Sequence, residues 1–344
     1  MNTKVLAGTK KGLFTFSKVG DHWQPKHNFE GKGVFSIGKS EGKLWTAPFT
    51  EWTGTEIMFS EDNGTTWNET NGSLTFPEYT DVALAKVWQI EADLNGKLYF
   101  GVEPAALFTS ENNGETFELC EGLWNHPHRA QWQPGFGGLC LHTIQLLSDK
   151  HRIIAVSSGG AYVTNDNGKT WEAANRNIVA PFLPEPTPEF GQCVHKIARD
   201  PLDSNQLFLQ HHWGVYRSND AGKNWANISE GKNLPTDFGF ACVSNRANTA
   251  FILPINSDQF RVFPEGKMGV YRTQDAGETW QRLENGLPQE NAFDCVLRDN
   301  FSAADENRLA IGTTGGSLYV SEDNGDSWET IAEHLPRITC VRIY

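Results

Sequence analysis

The chain is 344 residues long, with 33 glycines and 12 tryptophans, and 42 acidic residues against 29 lysines and arginines leave a net charge of −13. That charge excludes docking on nucleic-acid phosphates or anionic membranes, since both need clustered cations. No run approaches the ~20 apolar residues of a membrane-spanning helix, and 12% aromatic content excludes a disordered chain.

The chain opens MNTKVLAGTKKGLFTF, without the apolar core or small-residue cleavage site of a secretion signal. The expected location is therefore cytoplasmic, and the six cysteines, which never form a CxxC pair, are expected to be reduced thiols. Lys4 to about Trp23 reads as two or three strands. A fixed order then begins: VFSIGK from Val34, KLWTAP, EIMFS and the octet SEDNGTTW from Ser60. It recurs as VWQIEA from Val87, KLYFGVE, ALFTS and SENNGETF from Ser110. The third copy is LHTIQL from Leu141, RIIAVSS, AYVTN and TNDNGKTW from Thr164. Next come VHKIAR from Val194, QLFLQHH, GVYRS and SNDAGKNW from Ser218, then FACVSN from Phe240, AFILPI, GVYRT and TQDAGETW from Thr273. FDCVLR from Phe293, RLAIGTT, SLYVS and SEDNGDSW from Ser321 make the sixth copy. ITCVRI from Ile338 ends the chain.

The six octets are spaced 50, 54, 54, 55 and 48 residues apart. A period near fifty fits one four-stranded propeller blade per repeat. Within each octet the Asn/Asp side chain bonds turn amides, Gly permits positive φ, and the final Trp or Phe returns to the core. These acids brace hairpins and are not catalytic. Seven inner strands are present, the last without partners after it, while the chain start has strands but no inner strand before it. The two ends therefore complete one blade, with Gly20-Asp21-His22-Trp23 as the remnant of its octet. The expected fold is all-β: a single seven-bladed β-propeller over 1–344, of four-stranded antiparallel blades, closed by N- and C-terminal strands sharing one blade.

The octet resembles the Asp-box, or BNR repeat, S-x-D-x-G-x-T-W. The resemblance implies a β-propeller with each box on a peripheral turn between the third and fourth strands. Sialidases, sortilin-type receptors and photosystem assembly factors share the box, so it fixes no activity. The segments GVEPAALFTS, QWQPGFGGLCLHTI, GQCVHKIARDP and QHHWGVYRS, with the opening LAGTKKGLF, resemble bacterial cytoplasmic BNR-repeat proteins often labelled sialidase-like or glycosyl hydrolase. True sialidases carry a first arginine in Arg-Ile-Pro near the N-terminus. This chain has no arginine before Arg129 and no such motif, so sialidase activity is not expected.

Chemistry is expected at the top-face channel mouth, opposite the boxes, where long loops lead into the inner strands. Two stand out: Trp124 to Gly138 and Ala180 to Gln192. They precede GLCLHTI and GQCVHKI, which place His142 and His195 at equivalent positions, in a column with Phe35, Trp88, Ala241, Asp294 and Thr339. His142 and His195 are candidate ligands for a divalent metal, or, with Glu103 and Asp294, an acid/base set. Gln210, His211, Trp88, Gln89, Trp132, Arg129, Glu189 and Trp213 are expected to bind substrate, with Phe136 as a further apolar wall. Two functions fit. One is a hydrolase or lyase acting on a small polar or glycan-like molecule, glycosidase-like or metal-assisted. The other is a non-catalytic ligand-binding or assembly-scaffold propeller.

Overall fold

The computed structural model describes residues 3–135 and 137–344. Seven antiparallel sheets stand in a ring, and the described residues include a single α-helix, Glu121–Trp124. Blades one to six open with the inner strands Gly33–Ser40, Lys86–Ala92, Leu141–Leu146, Val194–Arg199, Gly239–Arg246 and Phe301–Ala303. Each then adds three strands outward in chain order; blade one carries one extra short strand, Gly54–Thr55.

Blade seven joins the two termini. Ile338–Ile343 is its inner strand, followed outward by Lys4–Thr9, Gly12–Val19 and His22–Asn28. Val5 pairs with Ile343 and Ala7 with Val341, and Lys4 exchanges backbone hydrogen bonds with Tyr344 at 3.1 and 2.9 Å. Val5, Ala7, Ile338, Val341 and Ile343 are all buried, so the closing seam is as dry as any other blade.

The boxes form the expected turns. In the first, Ser60 Oγ donates to Asp62 Oδ1 at 2.8 Å, the Gly64 amide donates to Ser60 Oγ at 2.7 Å, and the Thr66 amide donates to Asp62 Oδ1 at 2.7 Å. The box also joins blades. Trp225 Nε1 donates to the Ala174 carbonyl at 2.8 Å and Trp280 Nε1 to that of Ile228 at 3.1 Å, each in the preceding blade. Gly222, at φ 90°, sits so close to that blade that a Cβ would stand 2.6 Å from Ile153 Cδ1.

A β-bulge interrupts the top of the inner strand in blade after blade. Leu141 pairs with Val156 and Thr143 with Ala155, leaving His142 unpaired; Val194 pairs with His211 and Lys196 with Gln210, leaving His195 unpaired. An extra residue turns the local backbone and re-aims a side chain. Here it points a column of side chains into the channel. The column differs from expectation at two places. In blade five the bulge spans both Phe240 and Ala241, and it is Phe240 that lines the channel and stacks on His195, with centroids 4.4 Å apart. In blade six the inner strand begins at Phe301, not near Phe293. The Cys295 carbonyl accepts from the Thr314 amide and the Asn300 carbonyl from the Gly312 amide, so this bulge is two residues longer than that of blade three. Leu297 and Arg298 therefore face the channel, and Asp294 lies outside the column.

Candidate functional site

The top of the channel holds two cavities, of about 510 and 370 Å³, which share Gly137, Arg261 and Arg298 as walls. Both long loops contribute: Pro134, Gly135 and Gly137 from the first, Phe182 from the second. A third loop, between blade-five strands Thr249–Pro254 and Val270–Thr273, brings Asp258 and Arg261.

One wall of the larger cavity is Cys193, His195 and His212, which offer ligand atoms within 4.8 Å of one another. His195 is buried, and its Nδ1–H donates to the Gly239 carbonyl at 2.6 Å. Burial, reinforced by the charge of Arg298, holds its pKa well below the ordinary histidine value. His212 lies 3.9 Å through Nε2 from Asp258 Oδ2; burial lowers its pKa too, against the opposing carboxylate. Next to this wall, Trp213 stacks on Phe182 at 4.9 Å and packs tilted against His212 at 4.0 Å.

The other wall is cationic. Arg261 and Arg298 both lie over the Phe240 ring, at 4.8 and 5.4 Å. The smaller cavity adds Lys10, Lys86 and Arg337. Burial and the charges of Arg298 and Arg337 depress the pKa of Arg261, with Asp258 opposing. Among the described residues, no carboxylate comes within ion-pair distance of Arg261, Arg298 or Arg337; Lys86 pairs with Glu103 at 3.3 Å. A protein of net charge −13 thus gathers unpaired guanidinium groups at one point.

Below the cavities the channel is closed by buried charge. Lys196 Nζ donates to Asp299 Oδ1 at 2.8 Å and to Gln89 Oε1 at 3.1 Å, and Arg342 reaches the same Asp299 oxygen at 3.3 Å. Burial raises the pKa of Glu91 beneath.

The residues expected from sequence separate into two groups. His195, Trp213 and Trp88 line the cavities. His142 is fully buried, with Nδ1 3.2 Å from Thr143 Oγ1 and Nε2 without a partner, and it is not among the ligand group that contains His195. Strand alternation separates the His211-His212 pair. His211 turns into the sheet, accepting the Trp213 amide at 3.1 Å, while His212 enters the cavity. Gln210 braces the carbonyls of His211 and Asp237, and Gln89 belongs to the channel floor. Glu103 accepts from Trp88 Nε1 at 2.9 Å and pairs with Lys86, so it positions two cavity residues. Asp294 accepts the Gly315 amide at 3.2 Å. Trp132 donates to Tyr162, Arg129 lies 3.3 Å over the Trp124 ring, and the exposed Glu189 stands 3.9 Å from His128. Phe136 lies outside the described residues. The sequence reading missed Cys193 and His212 as partners of His195, and Arg298. Their signals were the Cys-x-His step followed by a His-His pair, and the longer FDCVLRDN segment.

Comparison with known proteins agrees on the repeat. Residues 162–173 match the family described as BNR/Asp-box repeat, and residues 213–342 match that described as Sortilin, neurotensin receptor 3. The oligoxyloglucan-reducing end-specific xyloglucanase of Emericella nidulans is 26% identical over 242 residues, 58% of this chain and 28% of that protein. A probable enzyme of the same description from Neosartorya fischeri is 28% identical over 202 residues, 55% of this chain and 22% of that protein. The chain thus spans about a quarter of the length of these curated relatives. Among solved structures, the GH74 xyloglucanase of Xanthomonas campestris superposes with TM-score 0.65 at 15% identity, over 96% of this chain and 52% of that one. YCF48 bound to D1 peptide superposes with TM-score 0.57 at 14% identity, over 86% and 81% of the two chains. The chain is a seven-bladed propeller that carries BNR/Asp-box repeats.

Proposed function

We propose that this protein is a hydrolase or lyase acting on a small, acidic, glycan-like molecule in the top-face cavity. One observation carries the reading: a single cavity sets Cys193, His195 and His212 against Arg261 and Arg298, with Trp213, Phe182 and Phe240 between them. The aromatic faces suit the apolar faces of a sugar ring. The guanidinium groups suit a carboxylate or phosphate, which they hold by paired hydrogen bonds. The imidazole wall supplies the reacting end. Resemblance to xyloglucanases supports a glycan; the acid group rests on the arginines alone.

The usual pair of glycosidase carboxylates flanking the bond is not what the cavity offers. Asp299 is already engaged by Lys196 and Arg342, which leaves Asp258 beside His212. Bond cleavage is therefore assigned to the histidine wall. Free thiols at all six cysteines support a cytoplasmic setting.

The test is calorimetric titration with uronic acids, sugar phosphates and neutral xyloglucan oligosaccharides, followed by turnover assays on whatever binds. The acids should bind, and Arg298→Gln or Arg261→Gln should weaken them by about 10- to 100-fold, on the order of 1.5–3 kcal/mol for a charged hydrogen bond. Binding of the neutral oligosaccharide alone would refute the acid. Binding without turnover would favour the scaffold reading.

A further inference from the structure

We infer that Cys193, His195 and His212 form a binding site for a divalent transition metal, zinc first, open on one side to the larger cavity. This goes beyond the proposed activity and rests on that reading only for the chemistry the ion would perform. Ion binding itself stands on the geometry.

The three ligand atoms already lie within 4.8 Å of one another. Bond lengths of ~2.3 Å to sulfur and ~2.0 Å to nitrogen place one sulfur and two nitrogens of a tetrahedral site roughly 3.3–3.5 Å apart, so small side-chain rotations close the site. His195 is set for the role. Its Nδ1–H is held by the Gly239 carbonyl at 2.6 Å, which leaves the Nε2 lone pair free. A histidine ligand oriented by a carbonyl on its second nitrogen is the usual outer arrangement of metal centres. Asp258, 3.9 Å from His212, supplies a carboxylate behind the second imidazole.

The internal repeat acts as a control. In three blades a cysteine carbonyl above the inner strand accepts the amide of a residue one or two positions beyond the second strand. The pairs are Cys140 with Ser157, Cys193 with His212 and Cys295 with Thr314. In blades three and six the partner is a hydroxyl, 2.9 and 3.7 Å from the sulfur. Only blade four puts an imidazole there. Two residues beyond each cysteine stand His142, His195 and Leu297. The fold tolerates a hydroxyl opposite the cysteine, and one blade alone brings together three metal-ligating groups.

The local charge also fits. Arg261 and Arg298 line the same cavity as the three ligands, so a cation enters only with compensation. Cys193 as thiolate and Asp258 provide it. Three protein ligands with one side facing a cavity is the catalytic form of a zinc site, in which the ion polarises a bound water or carbonyl.

Full-length protein, stripped with chelator and returned to metal-free buffer, is titrated with Co²⁺ and with Zn²⁺ against a chromogenic competitor. One equivalent should bind, and cobalt should give a thiolate-to-metal charge-transfer band. Cys193→Ser should abolish the band. His212→Ser, which copies the hydroxyl of blade three and should fold, removes a direct ligand and should weaken binding by at least about 100-fold, more than loss of an outer partner costs. His142→Ala should change nothing. Absence of the band, or equal affinity in wild type and His212→Ser, would overturn the site. Sugar-acid titration of the metal-free protein reads the arginine wall separately, so either result can fail without the other.

Discussion

The octet acids respond to pH through their hydrogen bonds. At Asp166 the Thr170 hydroxyl donates at 2.6 Å and the Thr170 amide at 2.9 Å, and these bonds bring the carboxyl down to about 2. Asp62 is lowered in the same way by Thr66. At Asp220, Asp275 and Asp323 burial pushes upward, but the box hydrogen bonds outweigh it and the pKa still falls. A carboxylate with a depressed folded pKa binds fewer protons folded than unfolded. Its stabilisation is complete above the unfolded value of 3.8 and is lost as pH falls toward 2. Acid melts should therefore steepen between about pH 4 and 2. The second box is a natural control, since Asn112 accepts the Thr116 amide at 3.0 Å and does not titrate. Asn at the five aspartate positions should flatten the acid limb; an unchanged limb would place acid sensitivity elsewhere. Glycine in the box has a second duty. Gly222→Ala forces a side chain onto a φ of 90° and against Ile153, and should cost about 2 kcal/mol in chemical denaturation.

Among the structural elements, the inner-strand bulge positions the site. It aims His195 and Phe240 into the channel, and its two-residue extension in blade six delivers Arg298 to the cavity and Asp299 to the floor. Asp299 neutralises both Lys196 and Arg342 with almost no solvent access. Removing one partner of a buried pair leaves an uncompensated charge. Asp299→Asn should therefore destabilise by about 3 kcal/mol, measured by urea unfolding. A loss below about 1 kcal/mol would show that water enters the floor and screens the cations.

The ring as a whole depends on a seam between chain ends. Removing 338–344 takes away the inner strand of blade seven, uncovers the edge of Lys4–Thr9 and removes Arg342 from the floor. An unpaired, apolar edge invites association. The shortened chain should lose its cooperative melt and elute as aggregates in size-exclusion chromatography. A monomer with a sharp transition would mean that six blades hold the ring without the seam.

The sequence by itself determined the blade, the box and the closure, because each depends on short-range pattern. A fifty-residue period, a turn signature and unmatched strands at both ends are properties of the linear chain. It also marked His195, Trp88 and Trp213 as channel residues. Which other side chains joined them was decided only by pairing between distant strands. One extra residue in a strand moves every later side chain to the opposite face. That shift is invisible until its partner strand is known. Irregular pairing of this kind turned Phe240 inward instead of Ala241 and Arg298 instead of Asp294, while plain alternation at the end of the second strand of blade four turned His212 inward instead of His211. Convergence of the arginines on one cavity has the same origin: Arg261, Arg298 and Arg337 come from three blades, and ring closure brings them together.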